Sequence, residues 1–485
     1  MWSDRPTEKR RQRIVERLRS ALPSPHPGSR GSKTPLRGPK TQTPSPEQVA
    51  EELRALPGFA WLDGGDGGHR LYSRPVAILQ VRNGRASVTG PGGKATFAAG
   101  GFDLLDALFS AWDGAGPAAT LVGYLGYEMG GELESIPSPP LDDLDLPDLH
   151  LGLYDSCLRW DGRSWILEGT DAWRAAGDPD PVIEAERVLA ASRRRSAPEI
   201  PTGSLAEDGV VSRPNQAGFE TAVTRVVERI ATGEIFQMNL CRRLETRVQT
   251  ENLWPLYLRL RAASPAERGA FIDLGKGKAV LSISPELFLA SRDGEVESRP
   301  IKGTRPRGVN PRDDRALARE LLESEKDRAE LTMIVDVVRN DLGRVCETGS
   351  VEVTSHAELM SLPTVHHTVS TVRGRLRPDA GPAELLRAAF PPASITGAPK
   401  IQAMAVIAAE EERRRGPAMG ALGWISLGGD LDLAVAIRTA ASSQGLVAYH
   451  AGCGIVADSV PELEFEESTA KARAFLTALG AMEIG

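Results

Sequence analysis

At 485 residues, with 41% hydrophobic and 25% charged side chains, the chain is globular in composition and long enough for two or three domains or one large α/β body. No apolar run approaches the ~18 residues needed to cross a bilayer and the N-terminus has no apolar secretory core, so no membrane association and a cytoplasmic location are expected. Cys157, Cys241, Cys346 and Cys453 are scattered without a C-x-x-C pair, which excludes a zinc or disulfide framework, and the net charge of −7 divides into +8 over residues 1–46 and −15 beyond, an acidic body that argues against nucleic-acid binding.

In chain order, "TEKRRQRIVERLRS" can form a short, very polar helix, and residues 23–46 carry seven prolines among Ser, Gly and Thr. Such a composition cannot bury a core, so residues 1–46 are predicted to be a disordered basic Pro/Ser-rich arm. Order is expected from Ser45-Pro46-Glu47, a helix-start pattern. "PVAILQVRNGRASVTG" predicts a hairpin across Asn83-Gly84, and "LHLGLYDSCLRWDGRSWILEG" a second one across Asp161-Gly162. An N-terminal domain is placed at 47–200 and a second, catalytic one at 214–485, opening with the amphipathic helix "NQAGFETAVTRVVERIATGEI". Further on, "DDRALARELLESEKDRAELTMIVDVVRNDLG" carries a helical apolar stripe with a break near Ser324. "LVAYHAGCGIVADS" is expected to be a strand pair, and "PELEFEESTAKARAFLTAL" a closing helix.

Several residue types in these segments can carry chemistry. Glu464, Glu467 and Lys471 fall on one face of the closing helix, and Asp327 and Glu330 share a face of the earlier one. Carboxylates from two helices that converge can hold a hard cation such as magnesium; the same spacing also describes an ordinary solvated face. "SITGAPK" and "HAGCGIV" bring backbone N–H groups near an anion, but neither is a P-loop, and no dinucleotide fingerprint follows a strand. Arg438 in "AVAIRTA" is expected within an apolar strand, where its guanidinium needs either a ligand carboxylate or a protein one. Lys302, beside Gly303 in "ESRPIKGTRPRG", is either a solvated lysine in a turn or a group brought close to a ligand. His367 in "PTVHHTVSTVRG" is equally open between a satisfied polar group and a pocket residue.

"SPELF", "RPIKGTRPRG", "EKDRAELTMIVDVVRNDLGRV", "PTVHHTVSTVRG", "SITGAPKIQAM" and "GCGIVADSVPELEFEESTAKARA" resemble the chorismate-utilising enzymes in content and in order. The resemblance covers about residues 214–480. It extends more weakly over 47–200, through "GYLGYE" and "LPDLHLGLYDS", which look like the N-terminal domain of the aminating members. It implies an α+β fold with two large antiparallel β-sheets packed as a sandwich core and helices outside. By the same resemblance Glu330, Glu464 and Glu467 match magnesium ligands, and Glu286 matches the general acid that assists loss of the ring 4-hydroxyl. Thr396, Arg438, Lys471 and the backbone at Gly452, Cys453 and Gly454 match contacts to substrate carboxylates, and His367 matches a histidine lining the pocket.

Two positions discriminate within the family. Its hydrolytic-type members carry a lysine base in the "EIFQMN" stretch, where this chain has Gln237. Anthranilate synthases resemble "PIAGT" where this chain reads Pro-Ile-Lys-Gly-Thr, as aminodeoxychorismate synthases do. The resemblance therefore implies a covalent nucleophile at Lys302 and amination of chorismate at carbon four for p-aminobenzoate and folate synthesis, with an anthranilate synthase component I as the alternative. It also implies ammonia from a separate glutamine amidotransferase subunit and a separate PLP-dependent lyase downstream.

Overall fold

The computed structural model describes residues 8–22, 32–36, 43–64, 68–112, 119–169, 173 and 180–484. Two large sheets, one of 13 strands and one of 12, dominate it. Their ladders are antiparallel except where Val210–Arg213 runs beside Glu483–Ile484. The α+β expectation of two large antiparallel sheets with helices outside is the fold observed. Burial follows position in the sheets: Ala77–Arg82 alternates buried and half-buried residues, whereas Leu149–Tyr154 is buried throughout. The second pattern belongs to a strand covered on both faces.

Between the sheets lies an apolar layer to which both contribute. Ala60, Tyr72, Ala270 and Val280 come from the larger sheet, and Val122, Tyr124, Leu422 and Ala434 from the smaller. Outside the larger sheet, the helices Pro46–Leu53, Leu253–Ala263 and Pro461–Leu479 cover an aromatic cluster that includes Trp61, Trp254, Tyr257 and Phe271. Both sheets run across the boundary drawn near 201–214. Ala60–Asp63 pairs with Arg268–Gly275, and Thr120–Leu125 pairs with Ala421–Ser426. The segments on either side of that boundary therefore share their sheets and their core.

Local chemistry explains the element ends. Ser45 and Gln48 form a capping box, and Pro46 opens the helix as its first residue. Asn83 and Gly84 take φ of 47° and 71°, the double left-handed turn that suits a two-residue hairpin. The break expected near Ser324 is real. Pro311–Glu323 ends there, and the Ser324 hydroxyl accepts from Asp327 N at 3.3 Å to start Glu325–Gly343.

Two expectations need correction. "LVAYHAGCGIVADS" is not a strand pair: Leu446–Ile455 is one strand, paired along its length with Gln237–Arg247. Its glycines do not turn the chain but let neighbours approach, since a Cβ on Gly452 would lie 2.5 Å from Cys241 Sγ. The disordered arm is also corrected where it is described. Glu8–Ala21 is a helix that buries Ile14, Leu18 and Ala21, with Leu22 just beyond, against Arg85–Gly90, Gly93–Ala98 and the helix Gly101–Ala111. Ser32–Pro35 adds an edge strand to Trp165–Gly169. Average composition conceals a stripe at i, i+4, i+7 and i+8 among arginines, and one narrow stripe is enough to dock a helix. The arm's remaining residues 1–7, 23–31 and 37–42 lie outside those described, and 43–46 lead into the cap already noted.

Leu18 is fully buried in the main core cluster. Leu18→Ala is expected to lower unfolding free energy by about 2–4 kcal/mol, the usual range for emptying a closed leucine site. Urea denaturation checks this; a midpoint equal to wild type would mean that the helix is not part of the cooperative unit.

Candidate active site

A cavity of about 370 Å³ lies where the edge of the smaller sheet meets two interior strands of the larger one. Its walls come from Gln237–Arg247 and Leu446–Ile455 on one side and from Ile301–Pro306 and Val365–Arg375 on the other. The helices Glu325–Gly343 and Pro461–Leu479 close it. Glu286, Lys302, Glu330, His367, Arg438, Gly452, Gly454, Glu464, Glu467 and Lys471 all line this one space.

Lys302 owes its position to a bulge. The ladder between Ile301–Pro306 and Val365–Arg375 slips between Lys302 and Thr304, and Gly303 there takes φ of 69°. A Cβ at 303 would also stand 2.7 Å from Leu321 Cδ1 and 3.1 Å from Asp327. Glycine thus meets both the backbone and the packing demand, and the bulge re-aims its neighbour. The Lys302 ammonium reaches within 3.9 Å of Glu330 Oε2. It fits there because residue 454 is glycine: a Cβ would lie 3.1 Å from Lys302 Nζ and 2.6 Å from Gln237 Nε2. Gln237 Nε2 in turn donates to Glu330 Oε2 at 3.5 Å.

Each carboxylate suggested for a metal faces a lysine. Lys302 faces Glu330, Lys471 Nζ is 2.7 Å from Glu467 Oε1, and Lys326 Nζ is 3.6 Å from Glu464 Oε1. The charge of Lys471 holds the Glu467 carboxyl down at about 2. Lys471 also donates to Gly452 O at 2.8 Å, and Glu467 raises it despite its burial. Glu330 behaves differently. Burial raises its carboxyl in spite of Lys302 and Lys326, with Glu467 adding repulsion, so positive charge falls short at that point. Cys453, Glu464 and Glu467 bring ligand atoms within 4.8 Å of one another, and Glu330 stands outside that tight group. The Cys453 thiol is fully buried, is pushed well above its ordinary value by that burial, and donates to Glu464 O at 3.2 Å. The donors left for the cavity are carboxylate oxygens, which fit a hard divalent cation.

Glu286 is 3% exposed, and burial pushes its carboxyl up to about 7 against the nearby Ser394 hydroxyl, Lys302, the Ile301 N–H and Lys471. A group so placed holds a proton near neutrality and can deliver it. His367 is held near 4 by burial and is neutral; its Nδ1–H donates to Gly303 O at 3.0 Å, which leaves Nε2 as the acceptor nitrogen.

Other predicted positions stand differently. Arg438 is not inside a strand but at a bend between Leu431–Val435 and Thr439–Ser443, with φ of 51°. Its guanidinium donates to Lys471 O at 3.3 Å, and among the described residues no carboxylate forms an ion pair with it. Thr396 does not line the cavity, and its hydroxyl is directed to Pro392 O and Ala393 O. The side chains of Cys453 and Gln237 also lie behind the wall. Lys400 of "SITGAPK" is structural, donating to Asp341 Oδ2, Ala389 O and Pro391 O at 2.6–2.9 Å. Lys326 and Ser394 were missed. Lys326 precedes Glu330 by one helical turn, a spacing that places both on one face and was available as a signal.

Because Glu286 is protonated in the folded chain up to about pH 7, and its carboxyl in the unfolded chain only to 4.5, the native state binds the extra proton between those values. This group's contribution to stability is therefore lost as pH rises through that window, by up to about 3 kcal/mol. Glu286→Gln should flatten that part of the profile in urea unfolding from pH 5 to pH 8 (about neutrality and either side). An unchanged slope in the variant would place the titration elsewhere.

A family model described as chorismate binding enzyme matches residues 58–477. Anthranilate synthase component 1 of Streptomyces coelicolor is 38% identical over 370 residues, covering 74% of this chain and 72% of that protein. Aminodeoxychorismate synthase component 1 of Escherichia coli is 37% identical over 361 residues, covering 74% and 76%. The crystal structure of anthranilate synthase component I from Streptococcus pneumoniae superposes with a TM-score of 0.72 at 31% identity, over 84% of this chain and 92% of that one. With one model spanning residues 58–477, which include every wall of the cavity, the chain belongs to the chorismate-binding enzyme family.

Proposed function

We propose that the chain is the chorismate-aminating subunit of an aminodeoxychorismate synthase, with Lys302 as covalent nucleophile. The observation that carries this reading is the bulge that brings the Lys302 ammonium into the same cavity as the buried acid Glu286. In this reading the Lys302 ammonium first gives one proton to water, its freed Nζ bonds to ring carbon two, the ring double bonds shift, and the carbon-four hydroxyl leaves as water with the proton of Glu286. Ammonia then bonds to carbon four, the double bonds shift back, and the bond from carbon two to Nζ breaks with its electrons returning to the lysine. The new ammonium gives one proton to Glu286, which restores the acid. The net change is chorismate plus ammonia to 4-amino-4-deoxychorismate plus water.

Arg438 and Lys471 supply the positive charge for one substrate carboxylate, and the neutral Nε2 of His367 can accept a hydrogen bond from the ring side. Magnesium held by Glu330, Glu464 and Glu467 would offset the charge of the other carboxylate. The relatives' "component 1" names support a separate amidotransferase as the ammonia source. The relatives divide between the two aminating activities at nearly equal identity, which keeps anthranilate synthesis as the second reading.

Product identification separates the two. Chorismate, ammonium salt and magnesium should yield the para-aminated product, and Lys302→Ala should slow it by at least tenfold (about 1.4 kcal/mol) while the ortho isomer or anthranilate gains share. Intact-mass spectrometry without ammonia should find an adduct on wild type and none on the variant. Para product at the wild-type rate from Lys302→Ala would end the nucleophile assignment.

Glu330→Gln and Glu467→Gln should each abolish turnover without unfolding the chain, and excess chelator should do the same to wild type. Glutamine should support turnover only with an added amidotransferase, whereas ammonium salt should suffice for the chain alone. Full turnover in chelator, or glutamine use by the isolated chain, would contradict the metal or the partner respectively.

A further inference from the structure

Three lysines face the three carboxylates, and two of them have chemistry under the reading above: Lys302 bonds the ring, and Lys471 serves a substrate carboxylate. Lys326 has none. It lies in the first turn of Glu325–Gly343, one helical turn before Glu330, and lines the same cavity. Its ammonium is 3.6 Å from Glu464 Oε1, and Glu330, Asp458 and Glu467 add their negative charge around it. Glu464 is otherwise well held. Its Oε1 accepts from Ser459 Oγ at 2.7 Å, and its side chain is only 4% exposed. Lys326 differs from its partner in this respect, because its side chain is 44% exposed. The 11% of Lys302 and 24% of Lys471 mark those two as enclosed.

Three carboxylates brought together without a cation, Glu464 and Glu330 enclosed and Glu467 half exposed, would repel one another and raise the energy of the folded chain. An ammonium on a long flexible stem can answer that charge when nothing else does, and can withdraw along its exposed side when a divalent ion comes. We propose that Lys326 is the resident counter-ion of these carboxylates, pairing with Glu464 in the metal-free enzyme and yielding to a divalent cation, so that it sets the affinity for that cation. This rests on the metal reading above. In that role Lys326 is a positioning residue: it keeps Glu464 aimed at the cavity between metal-binding events, and it weakens binding by competing for the same oxygen.

The test uses the full chain without substrate and reads binding rather than turnover. Magnesium is titrated by calorimetry into wild type, Lys326→Gln and Lys326→Arg, and thermal unfolding is followed in chelator and in excess magnesium. Lys326→Gln should bind magnesium about five- to tenfold more tightly, the scale of a partly exposed ion pair. It should also melt lower than wild type in chelator and show the larger upward shift on adding magnesium. Lys326→Arg keeps the charge and should bind as weakly as wild type, which also guards against a folding defect in the glutamine variant. Equal or weaker magnesium binding by Lys326→Gln would overturn the inference while leaving the metal reading intact. If wild type binds no divalent cation, the metal reading falls and the inference with it.

Discussion

The guanidinium of Arg415 is wholly buried, and it is answered from four separate parts of the chain. Its Nε and Nη2 meet Glu411 at 2.8 and 2.6 Å, Nη1 donates to Ile395 O at 2.9 Å, and Nη2 donates to Asn239 O at 2.7 Å. Its plane lies over the Tyr127 ring at 4.5 Å. Around it, Arg415 N and Gly416 N donate to Glu128, and Cys241 N donates to Glu411 Oε1. A charge taken out of water must be matched by groups held in place, and here those groups are the loop before Thr396, the strand that carries Asn239, and the "GYLGYE" segment of the N-terminal half. One side chain thus ties the cavity's back wall to the N-terminal half, alongside the sheets the two halves share. Loss of either partner would leave the other buried without its counter-charge.

In front of that wall the cavity works by unequal solvation. Glu286 and Glu467 are the same residue type and line the same space, yet burial holds one near 7 and Lys471 holds the other near 2. That separation divides an acid from a permanent anion. Lysines and carboxylates alternate around the cavity instead of segregating, so a dianion and a cation can each find opposite charge within it. His367 stays neutral among these charges because burial, Arg438 and Lys471 all disfavour its protonation.

The candidate site was legible to a large degree because its residues lie on regular elements. Glu464, Glu467 and Lys471 share a helix face by spacing alone, and the bulge at Lys302 is announced by Gly303. Thr396 and Cys453 were less legible, since only the packed structure shows that the first spends its hydroxyl on backbone carbonyls and the second its thiol on Glu464 O. Lys326 was visible as a helical neighbour of Glu330, but a lysine one turn from a glutamate is so common on exposed faces that the spacing carries no weight until the second helix is in view.

By itself the sequence determined what depends on neighbours in the chain: the caps at Ser45 and Ser324, the Asn83-Gly84 hairpin, the amphipathic helices, and the ordered motifs of the family. Turn chemistry and periodicity are local, so local letters carry them. Only the tertiary structure decided that Glu8–Ala21 docks, because its stripe gains its meaning from an apolar surface nearly a hundred residues away. Only the tertiary structure joined the halves of the chain into common sheets, and only it brought Glu330 of one helix toward Glu467 of another. Such contacts join residues far apart in sequence, and burial, which moves Glu286 and Glu330 so far from water, is a property of the whole packed molecule.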